Sequence, residues 1–442
     1  MKRFTYVALR LFSAAQHFLR ERLTDAGWLV AGAAATAAAL GIDTTRTMSY
    51  QAFAFLAALL GLAFILAQFF RAQTAVEREL PRYVTAGQRF EYRLFLRNTG
   101  RATLDAVFVR EMLRDPRPSY DDWRRTREPG EERRNWFDRN QGYFRWRWLI
   151  ERRTPERAPP AAMPRLAPGE KQPIRLWLRA RRRGRLELDG VQIARSEPLG
   201  LLRGLVHVRA PAHVIALPKR YRLPPLALPG QRRFQQGGVT LATSIGDSEE
   251  FIGLREYRPG DPLQRVHWKS TARTGTPVVK EFQDEFFERH ALVLDTSTDR
   301  GEDDVFEEAV AVAASFVYAI DTRECLLDLL FVGGEVRTYT AGRGQLPADQ
   351  MLEVLAGVTP SQPAEFERLA RAVRTGRKSL TSCIVVLLAW DDARRAFVQA
   401  LRGCGLEVRV LLVCQRNAAP MPSAGLVLLH PGEIPAGLAM LR

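Results

Sequence analysis

The stretch Gly253–Arg273, GLREYRPGDPLQRVHWKSTAR, decides how this chain is interpreted. It is dense in arginine, aromatic and turn-forming residues, and an apolar segment typical of a buried strand, Ala291–Asp295, follows it. Pro259-Gly260 has the composition of a type II turn, because proline fixes φ at the second position and glycine accepts a positive φ at the third. The stretch therefore predicts a rigid corner shortly before a β-strand.

A short helix is expected directly after this turn. Asp261 is predicted to cap it, with Pro262 in the first helical position and Gln264 reaching back as in a capping box. Residues three and four apart lie on one side of a helix, so the basic and aromatic members of the segment should crowd together. These members are Arg265, Trp268 and Lys269.

The segment resembles the signature of the domain of unknown function 58 family, a bacterial group of membrane-tethered proteins. The matching residues are Arg255, Tyr257, Pro259, Gly260, Asp261, Arg265, Trp268, Ser270, Ala272, Arg273 and, just after them, Val279–Phe282. A second match lies upstream, where Arg183-Gly184-Arg185 precedes Glu197–Leu201; the family more often has Asp-Pro-Phe-Gly-Leu at the latter place. The resemblance implies a C-terminal von Willebrand factor A-like domain and a MoxR-type AAA+ ATPase as partner.

Composition bounds the class of protein. The 442 residues are enough for two or three domains, and the net charge of +16 comes mostly from arginine. Such a surplus favours an anionic partner: phospholipid headgroups, nucleic acid or an acidic protein face. The four cysteines have no metal or redox spacing and are expected to be reduced, as in the cytosol. They are Cys325, Cys383, Cys404 and Cys414.

Two apolar runs near the N-terminus, Gly27–Ile42 and Ala52–Phe70, predict a transmembrane helical hairpin within residues 26–71. Each run is close to the roughly 20 residues that cross a bilayer. A cleaved signal peptide is disfavoured, because arginines interrupt the stretch before the first run and a second run follows. Two buried helices of a soluble domain remain the alternative.

Basic residues set the expected orientation of the hairpin. Five precede the first run and three follow the second: Lys2, Arg3, Arg10, Arg20 and Arg22, then Arg71, Arg78 and Arg82. The hairpin loop has only Arg46, beside Asp43. The positive-inside rule then places the N-terminal segment 1–25 and the large C-terminal part in the cytoplasm, with the anchor in the bacterial inner membrane. The segment Phe4–Phe18 either lies along the inner surface or extends the first span.

Residues 80–223 are predicted to form an immunoglobulin-like β-sandwich, since segments such as Phe90–Asn98 alternate apolar and polar residues. Its insert, residues 115–164, is rich in arginine and tryptophan. Tyr143–Ile150 is predicted as a strand and its flanks as mobile loop. Three roles stay open for the insert: a solvated loop packed on the sandwich, a contact with anionic lipid, or nucleic-acid binding, for which no fold signature is present.

Residues 224–289 are interpreted as a connector plus the signature, with Phe234–Ser248 as a flexible linker. In residues 290–442 apolar strands such as His290–Asp295 alternate with helices such as Asp304–Ile320. This pattern predicts a doubly wound α/β domain with a mostly parallel sheet covered on both faces. The resemblance implies that this is the von Willebrand factor A-like domain.

The ends of parallel strands are where ligands gather in such sheets. The resemblance implies an Asp-x-Ser-x-Ser motif there, and the chain has Asp295, Ser297 and Asp299, with Asp299 in place of the last serine. Together with Asp391 or Asp392 these oxygens are candidate Mg²⁺ ligands. The alternative is that Asp295 and Ser297 brace the turn, with Asp295 paired to an arginine of the signature.

Catalytic motifs are not found in the sequence. No Walker A motif is present, and none of the six histidines accompanies a Ser or Cys nucleophile in a recognisable motif. Two interpretations of the signature remain. In one, its arginines line a docking surface with Trp268 as the anchor. In the other, Tyr257 and Trp268 are core residues, and the arginines pair with Glu256, Asp261 and Asp295 to hold the signature against the sheet. The arginines are Arg255, Arg258, Arg265 and Arg273.

The expected function is a non-enzymatic, membrane-anchored adaptor or chaperone-like accessory protein that works with a MoxR-type AAA+ ATPase. Two alternatives remain. One is a metal-dependent sensor centred on Asp295, and the other is a scaffold that binds anionic lipid or nucleic acid through the insert.

Overall fold

The computed structural model describes residues 2–40, 47–224, 249–284, 288–298, 304–320, 325–333, 335–341, 346–376, 380–416 and 425–441. Asp43 and Arg46 of the predicted hairpin loop, the linker Phe234–Ser248 and Asp299 lie outside these residues. Contacts within the chain define two compact units. The first comprises residues 1–221, 296–315 and 349–363, and the second comprises residues 222–295, 316–348 and 364–442.

Three helices open the first unit: α1 (Lys2–Arg22), α2 (Asp25–Leu40) and α3 (Thr47–Gln68). Within α3, the 21 residues Met48–Gln68 have a mean hydropathy of 2.1. Among the described helices α3 is the one long and apolar enough to cross a bilayer. The apolar helix α2 packs against it but has 16 residues. The chain thus has one candidate membrane-spanning helix, and the second predicted span stays a prediction.

Nine strands of the first unit form two sheets. They are β1 (Thr74–Glu79), β2 (Tyr83–Thr85), β3 (Arg89–Asn98), β4 (Val107–Leu113), β5 (Glu156–Arg157), β6 (Ala161–Met163), β7 (Lys171–Arg179), β8 (Gly184–Ser196) and β9 (Arg203–Leu217). One sheet has the order β1-β3-β7-β5 and the other β2-β9-β8-β4-β6. Side chains of both sheets, Leu94, Leu178 and Ile193 among them, are fully buried in one core. The strand-rich region expected from alternation is confirmed, and it starts at Thr74 rather than residue 80.

The insert between β4 and β5 is helical: α4 (Tyr120–Arg125), α5 (Trp136–Gln141) and α6 (Tyr143–Arg153). The predicted strand Tyr143–Ile150 is therefore wrong, and so is the predicted loop character of its flanks. Trp146 and Leu149, three residues apart, are buried on one side of α6 and form a small core with Trp123 and Tyr6. Residues three apart lie on the same side of a helix but on opposite faces of a strand, so this shared burial requires a helix. The alternating pattern of YFRWRWLI favours a strand and does not indicate this.

A loop of the strand-rich region joins it to the apolar helices. The carboxylate of Glu197 accepts hydrogen bonds from the backbone amides of Leu201 (2.6 Å) and Leu202 (3.1 Å). The Thr24 hydroxyl donates to the Gly200 carbonyl at 2.6 Å. A Cβ at Gly27 would lie 2.0 Å from the Leu201 carbonyl oxygen, so only glycine permits this close approach. The second family match, Glu197–Leu201, thus serves as the joint at which α2 begins.

The second half of the chain alternates strands and helices as the sequence predicts. Its elements are β10 (Glu249–Glu256), α7 (Trp268–Thr274), β11 (Val278–Asp284), β12 (Glu288–Leu294), α8 (Asp304–Ala319), β13 (Cys325–Gly333), β14 (Glu335–Ala341), α9 (Ala348–Ala356), α10 (Phe366–Gly376), β15 (Ser382–Leu387), α11 (Asp392–Gly403), β16 (Glu407–Val413), β17 (Leu426–Leu429) and α12 (Ile434–Ala439). Most of α8 and α9 belongs to the first unit. The mixed α/β architecture is confirmed.

In the second unit six strands form one sheet of order β14-β13-β12-β15-β16-β17. Every neighbouring pair is parallel except β13 and β14. The residues from Ala291 to Leu294 in the central strand β12 are all fully buried, so both faces of that strand are covered. The carboxyl ends of β12 and β15 meet at the same edge, which places Asp295 and the residues after β15 together.

Replacing Glu197 tests the joint. In Glu197→Ala the amides of Leu199, Leu201 and Leu202 lose their acceptor. We expect a loss of about 1–3 kcal/mol of stability, because buried donors are left unsatisfied. The measurement is thermal unfolding of the detergent-solubilised chain. Glu132→Ala, at an exposed position, is the control, and equal melting temperatures for the two variants would contradict the assigned role.

Candidate functional site

The signature corner lies on an antiparallel hairpin of β10 and β11 in the second unit, with Arg255 opposite Val279. The Asp261 amide donates to the Arg258 carbonyl at 3.0 Å, and Gly260 has φ of 106°. These features match a type II turn with glycine at its third position. The predicted Pro259-Gly260 turn is confirmed.

Asp261 fixes this turn from inside the corner. Its two carboxylate oxygens accept from both terminal nitrogens of Arg255, each at 2.7 Å, and one also accepts from the Arg258 amide at 2.8 Å. The Arg255 guanidinium and the Arg258 amide lower the pKa of Asp261 to about 2. Asp261 is therefore not the helix N-cap that the sequence suggested, and Arg255 is a structural residue.

The single helix predicted after the turn is also wrong. A 3₁₀ turn covers Leu263–Arg265, and α7 begins only at Trp268. Between them the buried Val266 forms a β-bridge with Val279, and the His267 amide donates to the Val278 carbonyl at 2.8 Å. Burial of Val266 against β11 holds the backbone extended and interrupts the helix.

Trp268 does not pack in the core, since it is 67% exposed, as is Leu263. Tyr257 is half-buried. On α7 the exposed residues Trp268, Lys269 and Arg273 fall within about 140° of the helix circumference at 100° per residue, so they share one side. A tryptophan is thus displayed beside basic side chains.

The exposed charges of residues 253–280 are mostly positive. Glu256 is the exposed carboxylate in this stretch, whereas five cations are exposed: Arg258, Arg265, Lys269, Arg273 and Lys280. We refer to Arg258, Leu263, Arg265, Trp268, Lys269 and Arg273 as the signature surface. Its composition suits an acidic, partly apolar protein face, because Arg and Trp are enriched in binding hot spots.

At the strand ends of the second unit, one arginine joins the two carboxylates predicted as metal ligands. Arg394 donates from Nε to Asp295 at 2.7 Å, and its terminal nitrogen pairs with Asp391. Asp391 also caps α11, accepting from the Arg394 amide at 2.9 Å. Asp295 is fully buried and additionally accepts from the Leu388 amide at 3.3 Å. The sequence correctly brings Asp295 and Asp391 together but misses Arg394.

Arg394 already supplies the positive charge that this pair of carboxylates requires. Burial lowers the pKa of Arg394, but the hydrogen bonds and charges of Asp295 and Asp391 outweigh it and raise the pKa overall. A divalent cation at the same oxygens would face the guanidinium at close range. Nor do the described residues include any cluster of three or more His, Cys, Asp or Glu side chains suited to a metal. The residues present therefore do not fit a Mg²⁺ site.

Ser297, the third candidate ligand, belongs to the first unit, and the residue it pairs with was not among the predicted ones. It forms a parallel bridge with Ser361, whose amide donates to the Thr296 carbonyl at 2.8 Å. The hydroxyls of Thr296 and Ser361 are 2.9 Å apart. These contacts brace the turn that contains Thr296 and Ser297.

The upstream family match is likewise a structural contact within the first unit. Arg183 donates to the carbonyls of Leu355 (3.1 Å) and Val358 (2.5 Å) and pairs with Glu307. A cavity of about 530 Å³ adjoins it, lined by five cations and four carboxylates. Arg152 pairs with Asp304, Arg181 with Glu151, and Arg182 shares Glu307 with Arg183. Because most of these cations are paired, the lining carries little surplus positive charge for an anionic ligand.

Comparison with known proteins finds a family match in the C-terminal half. Residues 253–437 match the family described as protein of unknown function DUF58, in agreement with the resemblance of the signature. It is 25% identical over 238 residues to YeaD, an uncharacterized protein of Bacillus subtilis (strain 168). That match covers 53% of this chain and 58% of YeaD, which is less than two thirds of the relative.

Two solved structures are similar to parts of the chain. One is a CARDB domain from Pyrococcus furiosus in complex with di-metal ions, 12% identical, with a TM-score of 0.18, covering 33% of this chain and 89% of the other. The second is proximal thread matrix protein 1 from the mussel byssus, 11% identical, with a TM-score of 0.26, covering 36% and 47%. Scores this low carry no argument about fold or ligands.

Neighbouring arginines of α11 provide a matched test of the strand-end ion pair. Arg394→Gln leaves the buried Asp295 without its cation and should cost about 3–5 kcal/mol. Arg395→Gln removes an exposed pair with Asp392 and should cost less than about 1 kcal/mol. Thermal unfolding in detergent compares them. Adding Asp295→Asn to Arg394→Gln should restore part of the loss, and equal melting temperatures for the two single variants would contradict the assignment.

Proposed function

We propose that this chain is a membrane-anchored adaptor, without catalysis of its own, that presents the signature surface to a protein partner in the cytoplasm. The observation that carries the proposal is the exposure of Trp268 beside Lys269 and Arg273 on α7. A large aromatic side chain left in water next to several cations is unfavourable for the isolated protein but suits a hot spot.

The partner is expected to carry an acidic face. Five exposed cations against one exposed carboxylate in residues 253–280 favour a negatively charged surface and speed encounter with it. The resemblance of the signature implies a MoxR-type AAA+ ATPase, and we propose that class as the partner. Other membrane or envelope proteins would then be the clients of the pair.

The anchor in this proposal is the hairpin of α2 and α3 in the bacterial inner membrane. Basic residues at both ends of the hairpin support a cytoplasmic location for the two termini. The strand-rich region would be an immunoglobulin-like domain, and the six-stranded sheet would belong to the von Willebrand factor A-like domain.

Nucleic-acid binding through the insert is not included in the proposal. Trp123 and Trp146 are 2% and 3% exposed, so their faces are not available to stack on bases, and one strongly exposed tryptophan, Trp136, does not make the series of stacking faces that single-strand binding uses. A metal-dependent sensor is also not included, because Arg394 takes the place at Asp295 that a cation would need.

Variants of the signature separate docking from stability. Trp268→Ala and Arg265→Ala should each weaken capture of a purified MoxR-type ATPase from the same organism at least tenfold. Their melting temperatures should stay near that of the parent, since both side chains are exposed. Arg255→Ala should instead lower the melting temperature, because it releases Asp261.

The measurement is co-purification of the detergent-solubilised full chain with the ATPase at moderate salt. Arg337→Ala, an exposed cation of β14 outside the signature, should capture the ATPase like the parent. Undiminished capture by Trp268→Ala and Arg265→Ala would refute the docking surface. Failure of the parent chain itself to capture the ATPase would refute the partner class.

A further inference from the structure

Helix α1 has an apolar face that the described part of the chain leaves exposed. The face consists of Phe4, Val7, Ala8, Leu11, Phe12, Ala15, Phe18 and Leu19, all of them exposed. At 100° per residue these side chains fall within an arc of about 140°, and no charged residue between positions 4 and 19 lies in that arc. Eight exposed apolar residues on one helix exceed what a soluble surface usually displays.

The opposite side of α1 is fixed at two points of the first unit. Tyr6 is buried against Trp123 and Trp146, with ring centroids 5.9 and 5.5 Å away, and its hydroxyl donates to the Pro118 carbonyl at 3.1 Å. Near the other end, Glu21 accepts from the Gln192 amide group at 2.9 Å. Because both ends are held, α1 cannot rotate to bury its apolar face within this unit.

The C-terminal end of α1 lies at the base of the candidate membrane-spanning helix. The Arg22 guanidinium is 4.9 Å from the centre of the Phe18 ring and 5.7 Å from that of Phe64 in α3. Leu23, the residue after α1, packs in a small apolar cluster with Ala63 and Ala67 of α3. If α3 crosses the bilayer, this contact brings the apolar face of α1 to the level of the membrane surface.

The charges of α1 exclude a spanning position and fit an interfacial one. Five basic residues along its 21-residue length would be costly in the hydrocarbon core: Lys2, Arg3, Arg10, Arg20 and Arg22. At the surface of an anionic leaflet the same residues are attracted to headgroups. The helix α5, which packs against α1, adds the exposed aromatic side chains Trp136 and Phe137, a residue type enriched at membrane interfaces.

We propose that the apolar face of α1 lies in the headgroup region of the cytoplasmic leaflet, bound to anionic lipid. The inference rests on the proposed membrane anchoring and adds to it a second, in-plane contact. Two contacts of different kinds, one crossing and one lying along the surface, would fix the tilt of the first unit against the bilayer. A second copy of the chain is the competing occupant of this face.

Spin labels on the full chain in proteoliposomes containing phosphatidylglycerol test the proposal. Single cysteines are introduced at positions 8 and 15 of the apolar face and, as matched controls, at positions 10 and 17, about 200° further around the helix. The substitutions are Ala8→Cys, Ala15→Cys, Arg10→Cys and His17→Cys, in a Cys404→Ser background because Cys404 is the exposed native thiol. Collision rates with oxygen and with a water-soluble nickel chelate are then measured.

The ratio of the collision rate with oxygen to the collision rate with the nickel chelate should be at least fivefold higher for labels at positions 8 and 15 than for labels at positions 10 and 17. Equal ratios in a chain that resists carbonate extraction would overturn the interfacial helix while leaving the anchor intact. Release of the chain by carbonate would overturn the anchor itself. Each chain carries one label, so dipolar broadening in the position 8 or position 15 variant can come only from a label on a second copy. Such broadening would show that a second copy covers the face, and it would also overturn the proposal.

Discussion

A fully buried carboxylate needs hydrogen-bond donors, a cation or a proton, and at Asp295, at the end of the central strand of the six-stranded sheet, Arg394 supplies the cation. In a doubly wound sheet this strand end is where a ligand or metal would normally be expected. Because the cation here is covalently part of the chain, Asp295 and Asp391 are committed to holding α11 against the sheet. The ion pair therefore contributes rigidity at this strand end.

The arginines of this chain likewise have two different roles, one structural and one at the surface. Arginines that matched the family signature fall into two groups by burial. Arg183 and Arg255 each pair with a carboxylate and fix the backbone around it, whereas the side chains of Arg265 and Arg273 are exposed. A signature residue is therefore not evidence of a binding site by itself. Its burial and its partner decide whether substitution alters folding or recognition.

Much of the fold could be predicted because the relevant signals are local. Continuous apolar strands and amphipathic helices marked the α/β half, and alternation marked the strand-rich half. The failures share a cause. The letters YFRWRWLI fit either a strand or a helix, and only the pocket formed with Trp123 and Tyr6 selects the helix. Asp295 and Asp391 could be named as neighbours from topology, but the choice of Arg394 among 65 lysines and arginines depends on three-dimensional contact.

The structural role of the insert is to hold helix α1. Its composition suggested a surface for lipid or nucleic acid, yet its buried tryptophans form the pocket for Tyr6. Four of its arginines also pair with carboxylates of the insert itself: Arg117 with Asp115, Arg134 with Glu128, Arg145 with Glu131 and Arg153 with Asp122. A single spanning helix leaves an attached body free to tilt, whereas a helix of roughly 30 Å held along the membrane surface would restrict that motion. The proposed membrane contact of α1 would therefore give the buried tryptophans Trp123 and Trp146 a role, since they hold α1 in place rather than binding lipid or nucleic acid directly.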